Sequence, residues 1–153
     1  MDVIAENQGR LTGLETLRAM IAARRKPPIA VTLDFDLLEV DEGRAVFVGT
    51  PGPHAYNPIG VIHGGYAATL LDSACGCAVH SALGAQQAYT TLEIKIAYHR
   101  ALTSETGPVR AEGKVLSIGR RVAFAEGRIV DGAGKLYASA TSTLLVFDIP
   151  VQG

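Results

Sequence analysis

The sequence predicts an α+β domain in which an antiparallel β-sheet wraps around one long central helix, with a further helix at the N-terminus. The first observation is the apolar segment 66–83, because a helix that is apolar on all sides is usually buried. The second is the set of strand-like segments around it, two before and four after, most of them joined by short turns that favour antiparallel pairing. A lone apolar helix needs a sheet to cover it, so both observations indicate one layered domain.

Length and composition narrow the classes of protein. A chain of 153 residues is large enough for one domain with a sizeable core. Its charged fraction of 19% is below the usual quarter, which favours a homo-oligomer with apolar surface buried between subunits. The alternative is a chain that is simply rich in glycine and small residues. The net charge of −1 provides no broad basic surface, so we expect no nucleic-acid partner.

Targeting signals are not evident. Residues 1–8 contain acidic groups and lack the basic and apolar regions of a secretory signal peptide. The apolar segment after Gly65 is interrupted by Asp72 and other polar residues, so it is not expected to span a membrane. Cys75 and Cys77 cannot bridge within one helix and provide too few ligands for a metal site, which predicts small buried side chains. These features predict a cytoplasmic protein.

A helical extension is predicted over residues 1–28, ahead of a single domain over residues 29–150. Pro27 and Pro28 are expected to stop this helix. Cations at residues 24–26 would lie near its C-terminal end and complement the helix dipole. The helix is indicated by apolar residues at helical spacing: Leu11, Leu14, Leu17 and Ile21.

Six strands are predicted from alternating polarity and from turn residues between them. The first two form a hairpin around the turn at residues 41–43. The last three are separated by turn sequences at residues 119–120 and 131–134. The predicted strands are residues 29–40, 45–49, 89–101, 109–118, 121–130 and 136–147.

The junction between the loop from Asn57 and the central helix is the strongest functional signal. Gly64 and Gly65 can bring backbone N–H groups close to a ligand at a helix start. Asp72 lies too far along the helix to cap it, and a carboxylate in apolar surroundings is costly unless it is paired or used.

Each of these residues also has an ordinary structural explanation. The two glycines could simply permit a sharp turn into the helix. Asp72 could be a structural carboxylate bonded to a backbone N–H or to its copy in another subunit. His63 could be a satisfied core histidine, and Thr91 an ordinary strand residue. Their occurrence together and in this order favours function.

Three motifs point to one family. They are Asn57-x-x-Gly60-x-x-His63-Gly64-Gly65 with Asp72 after it, the segment 91–100 (TLEIKIAYHR), and the segment 119–124 (GRRVAF). Together they resemble the PaaI-like branch of the hotdog-fold acyl-CoA thioesterases, the 4-hydroxybenzoyl-CoA thioesterase superfamily. The resemblance spans roughly residues 30–148. It implies a curved antiparallel sheet around a central helix, and hydrolysis of an acyl-CoA, aryl or short to medium in chain length, without a metal or redox cofactor.

The same resemblance implies roles for individual residues. The backbone N–H of Gly64 would contact the oxyanion, and Asp72 would act as general base or nucleophile. Asn57 would hold the thioester or its water, and Thr91 would assist the attacking water. His63 would orient the loop and contact the thiol side of the substrate.

Coenzyme A needs cations for its phosphates, which draws attention to arginines and histidines at turns and strand ends. The resemblance places the nucleotide end of the substrate near residues 119–121. Taken singly, each such cation is more often a solvated surface charge than a phosphate ligand. The candidate residues for binding coenzyme A are Gly65, His99, Arg100, Gly119, Arg120 and Arg121.

Helix geometry adds a constraint of its own. Gly64 and Asp72 are eight residues apart, which is about 12 Å along a helix. Groups that address one thioester carbonyl and its nucleophile must lie within about 3–3.5 Å of the reacting atoms. If both residues are catalytic, the active site is therefore shared between two subunits, in a dimer or a dimer of dimers.

Two other functions are compatible with the same fold. A hydratase or dehydratase acting on acyl thioesters would need a histidine and a carboxylate as a proton-transfer pair. His63 and Asp72 are nine residues apart, so only a pair across two subunits would serve. A non-catalytic acyl-CoA-binding protein is the second alternative. A serine hydrolase is disfavoured because no Gly-x-Ser-x-Gly elbow is present.

Overall fold

The computed structural model describes residues 2–7 and 9–150. Met1 and Gln8, which belong to the predicted N-terminal extension, lie outside the described residues. The helices are α1 (Val3–Asn7), α2 (Gly13–Ala22), α3 (Pro28–Leu33) and α4 (Gly64–His80), with a 3-10 turn at Pro53–Ala55. The strands are β1 (Phe35–Asp41), β2 (Arg44–Gly49), β3 (Gln87–Tyr98), β4 (Val109–Ile118), β5 (Val122–Asp131) and β6 (Leu136–Asp148).

The strands form a single six-stranded sheet in the order β1-β2-β4-β5-β6-β3, and all neighbours are antiparallel. The predicted α+β fold, a curved sheet around one long helix, is confirmed. β3 lies at one edge and pairs only with β6, from Gln87 opposite Asp148 to Tyr98 opposite Ala138. This edge strand is long, at twelve residues, and its outer side pairs with no strand of residues 2–7 and 9–150.

The central helix α4 packs on the inner face of the sheet. Its buried face includes Leu70, Leu71 and Ala74, all fully inaccessible to solvent. The facing strand positions are mostly small, such as Ala111 and Ala125, so the helix approaches the sheet closely. No helix within residues 2–7 and 9–150 has the length and apolar character needed to cross a membrane.

One stripe of α4 stays partly accessible in the single subunit. Because the stripe has helical spacing, it faces one direction, away from the sheet. It lies beside β3, where the large apolar side chain of Leu92 is 56% exposed. Its apolar composition predicted a helix buried on all sides, and this stripe is the exception. The half-buried residues of the stripe are Gly65, Ala68, Thr69, Asp72 and Ser73.

The predicted strand over residues 29–40 is wrong in its first half. Pro28 begins the short helix α3, since proline is pre-organised for the first helical position. Asp34 then ends that helix in the left-handed region, with φ of 54°, and β1 follows. The alternation of Val31 and Leu33 with polar residues is too short to distinguish a strand from one helical turn, and Val31 is in fact 64% exposed.

The predicted end of the N-terminal helix also needs correction. α2 ends at Ala22, so the cations at residues 24–26 lie beyond its last turn. Two of them bind acidic side chains instead: Arg25 pairs with Glu6 at 2.7 Å, and Lys26 pairs with Asp36 at 2.9 Å. These pairs hold the N-terminal segments against one another at the surface, where each contributes little stability.

We predict that Gly113→Ala destabilises the fold by about 1–3 kcal/mol, the usual cost of overpacking. A Cβ on Gly113 of β4 would overlap the backbone carbonyl of Ala74, so α4 would have to move off the sheet. Urea unfolding followed by circular dichroism measures the change. Gly132→Ala is the matched control, because no atom lies within 4 Å of the Cβ it would add. Equal stability of the two variants would contradict close packing at this point.

Candidate active site

The loop before α4 is shaped by Asn57. Its side-chain Oδ1 accepts hydrogen bonds from the backbone N–H groups of Ile59, at 3.1 Å, and Val61, at 3.2 Å. Gly60, with φ of +80°, permits the tight turn between them. The Asn57 amide nitrogen makes no hydrogen bond within the described part of the chain, so it is the group that remains for a ligand.

The first turn of α4 leaves one backbone donor available. His63 is the N-cap residue, and its Nδ1 accepts a hydrogen bond from the N–H of Gly65 at 2.7 Å. The N–H of Tyr66 donates to the His63 carbonyl at 3.0 Å. Gly64 is exposed, and its N–H has no acceptor among residues 2–7 and 9–150. At the positive end of the helix dipole, this N–H is suited to a developing negative charge.

Close neighbouring atoms explain why residues 64 and 65 of this turn are both glycine. A Cβ on Gly65 would lie 2.8 Å from the Nδ1 of His63, which could then not fold over the helix start. A Cβ on Gly64 would lie 3.1 Å from the hydroxyl of Tyr98. That hydroxyl donates a hydrogen bond to the Gly64 carbonyl at 2.8 Å.

Tyr98 was not among the site residues predicted from sequence. It continues the period-two pattern of Ile94 and Ile96, whose side chains pack inward from β3. This pattern places its ring on the α4 side of the sheet, although the contact with Gly64 spans 34 residues of sequence.

Asp72 and Thr91 meet between α4 and β3. The Thr91 hydroxyl donates a hydrogen bond to Oδ1 of Asp72 at 2.9 Å. Both residues are half-buried. No other hydrogen bond to the carboxylate is present in the described part of the chain, which leaves the second oxygen for water or a ligand. The structure thus brings together two of the predicted catalytic residues.

The structure keeps Asp72 away from the helix start in one subunit. Both Gly64 and Asp72 belong to α4, and eight residues of helix separate them by about 12 Å. Asn57, His63 and Gly64 therefore form one group, and Asp72 with Thr91 forms another.

A cavity of about 320 Å³ adjoins the helix start. Arg100 and His99 line it together with His63 and Gly64, and its apolar wall includes Ala67. The Nε2 of His99 lies 2.8 Å from the hydroxyl of Ser139, which anchors the imidazole on β6. None of the described residues that line the cavity is acidic, and the Arg100 guanidinium gives it a positive charge that favours anions.

The remaining candidate cations lie elsewhere. Arg120 and Arg121 follow Gly119 in the exposed turn between β4 and β5. Because Val122 pairs with Leu145, and Tyr98 with Ala138, this turn and the cavity lie about 23 Å apart along β6. One subunit therefore does not bring the two groups of cations together.

The thiols are poorly suited to be nucleophiles. Cys75 and Cys77 are free. Burial, reinforced by the nearby charge of Asp72, raises the pKa of each thiol to about 12. Within residues 2–7 and 9–150, no group of three or more His, Cys, Asp or Glu side chains could hold a metal ion.

Known proteins similar to this chain include members of one enzyme superfamily. Residues 59–138 match the family model of the thioesterase superfamily. A protein of Saccharolobus solfataricus named "putative esterase" is 32% identical over 121 residues, which cover 78% of this chain and 84% of that protein.

Two solved structures share the fold. The E. coli PaaI protein, from the phenylacetic acid degradation operon, superimposes with a TM-score of 0.75 at 22% identity, over 90% of this chain and 99% of its own. A Streptococcus mutans protein solved with acetyl-CoA bound has a TM-score of 0.68 at 23% identity, over 75% of this chain and 90% of its own. At these identities the two structures establish the fold.

We predict that Cys75 and Cys77 react slowly with a thiol reagent in the folded protein at pH 7.5, because the thiolate is the reactive species. Titration with 5,5′-dithiobis(2-nitrobenzoate) measures the rate. The same protein in denaturing urea, where both thiols return to ordinary pKa values, should release two equivalents rapidly. Fast reaction of a thiol in the native protein would show that it is not protected by burial.

Proposed function

Because the chain belongs to the thioesterase superfamily and has its hotdog fold, it is a thioester hydrolase, and we propose that it hydrolyses an acyl-CoA to the free acid and coenzyme A at a site shared by two subunits. The observation that carries the proposal is the free Gly64 N–H at the start of a helix whose middle holds the Asp72 carboxylate. The first group stabilises an oxyanion, and the second supplies a base or a nucleophile.

The reaction follows from these two groups. The Gly64 N–H donates to the thioester oxygen as it becomes negative. In one route Asp72 takes a proton from water while the water oxygen attacks the carbonyl carbon and the carbon–sulfur bond breaks. In the other route the carboxylate attacks, coenzyme A leaves as the thiolate, and water then hydrolyses the anhydride. In either route the departing sulfur gains a proton, and no metal or redox cofactor is required.

The neighbouring side chains support this assignment. The Thr91 hydroxyl donates to Oδ1 of Asp72, which stabilises the charged carboxylate and orients its other oxygen. The Asn57 amide nitrogen is available to hold the thioester or the water. His63 fixes the helix start through its bond with Gly65.

A homodimer supports catalysis because it brings Gly64 of one subunit to Asp72 of the other. The edge of β3 offers unpaired backbone groups to a second copy of the chain. The half-buried stripe of α4 next to this edge contains Asp72 and consists otherwise of small residues, which permits close approach of two helices. Leu92 and Tyr98 on β3, each 56% exposed, would gain burial there.

The proposal that coenzyme A carries the acyl group is supported by the acetyl-CoA bound in the structurally similar Streptococcus mutans protein. In this chain, His99 and Arg100 lie in the cavity beside Gly64, whereas residues 119–121 lie at the other end of the sheet. A site built from two subunits lets one group serve the thioester end and the other serve the phosphates. Gly65, at the helix start, completes the proposed contacts.

We predict that Asp72→Asn lowers kcat by at least about a hundredfold, the lower range for loss of a catalytic proton acceptor. Thiol release from phenylacetyl, hydroxybenzoyl and aliphatic acyl-CoAs measures the effect and also identifies the acyl group. Asp148→Asn, in an exposed position at the end of β6, is the control. Near-normal turnover by Asp72→Asn would remove Asp72 from the mechanism, and hydration of enoyl thioesters without thiol release would favour a hydratase.

We predict that two inactive variants, Asp72→Asn and Gly64→Pro, restore about a quarter of the wild-type rate when mixed and allowed to exchange subunits. Proline suits the first helical position and removes the N–H, and its Cβ crowds Tyr98 as that of alanine would. His63 already has the extended backbone that proline requires of the residue before it. Half of the dimers are then mixed, and each mixed dimer has one intact site of two.

The control for this experiment is Gly64→Ala, which adds the same crowding against Tyr98 but keeps the N–H. It should retain most of the activity that Gly64→Pro loses. An active mixture is expected only if Gly64 and Asp72 of one site come from different subunits. A mixture as inactive as its components would rule out the shared site.

A further inference from the structure

We infer that Tyr98 is a positioning residue that holds the Gly64 N–H and His63 in their working arrangement through one chain of hydrogen bonds. This inference rests on the proposed function, since it assigns a support to the oxyanion donor of that site. It adds a residue and a tautomer that the family resemblance did not supply.

The contact of Tyr98 with the helix start is not a by-product of core packing. The ring belongs to the last residue of β3 and is 56% exposed in the single subunit, so burial within the subunit contributes little to its placement. Its hydroxyl makes one hydrogen bond in the described part of the chain, to the Gly64 carbonyl at 2.8 Å. A side chain on residue 64 would crowd this hydroxyl, so the glycine and the tyrosine fit each other.

The hydrogen bond continues through the peptide group between Gly64 and Gly65. Tyr98 donates to the carbonyl of this group, and the N–H of the same group donates to Nδ1 of His63 at 2.7 Å. Donation to a peptide carbonyl polarises the group and strengthens the bond made by its N–H. Tyr98 therefore strengthens the hydrogen bond from Gly65 to His63 indirectly, because its own hydrogen bond is made to the Gly64 carbonyl and not to His63.

The free N–H belongs to the adjoining peptide group, between His63 and Gly64. The chain of bonds holds this group on both sides, through the His63 ring before it and the Gly64 carbonyl after it. Fixed direction is what an oxyanion donor requires, because a donor that reorients during the reaction loses much of its stabilising effect.

The same chain selects a tautomer of His63. Since Nδ1 accepts the Gly65 N–H, the proton of the neutral ring must lie on Nε2. His63 is exposed and lines the cavity beside Gly64. Its Nε2–H is thus a second donor at the edge of the proposed thioester site, next to the backbone N–H.

The kinetic test is Tyr98→Phe, which keeps the ring and removes only the hydroxyl. We expect kcat for a good acyl-CoA substrate to fall about tenfold, the loss of one well-placed hydrogen bond, with KM changed by less than about twofold. Tyr56→Phe is the matched control, because Tyr56 is an exposed tyrosine of the neighbouring loop whose hydroxyl makes no hydrogen bond among the described residues. An unchanged kcat in Tyr98→Phe would overturn the inference.

The structural test is ¹⁵N NMR of the imidazole nitrogens of His63, assigned with His63→Gln. We expect the wild-type protein to show the proton on Nε2, and Tyr98→Phe to show a mixture of tautomers. A proton on Nδ1 in the wild type, or an unchanged spectrum in Tyr98→Phe, would contradict the chain of bonds. This measurement does not need turnover, so it remains decisive even if Asp72→Asn shows that the proposed function is wrong.

Discussion

The close packing of α4 on the inner face of the sheet is the constraint on which the other features depend. Gly113 and the alanines of β4 and β5 let the helix backbone approach the strands almost directly. That approach places Asp72 beside Thr91 on β3, and it places the helix start beside Tyr98 at the end of the same strand. Both halves of the proposed site are therefore contacts between one helix and one edge strand, and a shift of the helix would disturb them together.

The helix also explains why the proposed active site needs two subunits. A straight helix holds Gly64 and Asp72 at a fixed separation of about 12 Å, and no side chain of aspartate length spans it. Yet both residues lie along or beside the stripe of α4 that remains accessible, next to the sheet edge where β3 has no further strand in the described part of the chain. In the proposed dimer a second copy would cover the stripe, pair with the edge of β3 and bring Gly64 of one subunit to Asp72 of the other. Stability of the oligomer and activity then depend on the same surface.

Charge is distributed in keeping with this arrangement. The whole chain is almost neutral, but the cavity at the helix start combines Arg100 with His63, His99 and the positive end of α4, and none of its described lining residues is acidic. The Asp72 carboxylate is held apart from these groups, near the middle of the helix. Within one subunit the Asp72 carboxylate therefore does not neutralise this cationic surface, which in the proposed reaction is left to stabilise the oxyanion.

The sequence by itself determined whatever depends on neighbouring residues: the start of α4 at Gly64, the period-two strands β4 to β6, and the separation of Gly64 from Asp72. It failed at Pro28–Leu33, where one helical turn and a short strand have nearly the same polarity pattern and only the packing of Ala30 distinguishes them. The tertiary structure alone decided that Tyr98 supports the helix start, and that the arginines after Gly119 lie far from Arg100. The reason is physical, because strand order and register set these contacts, and residues 34 apart carry no local signal that they will meet.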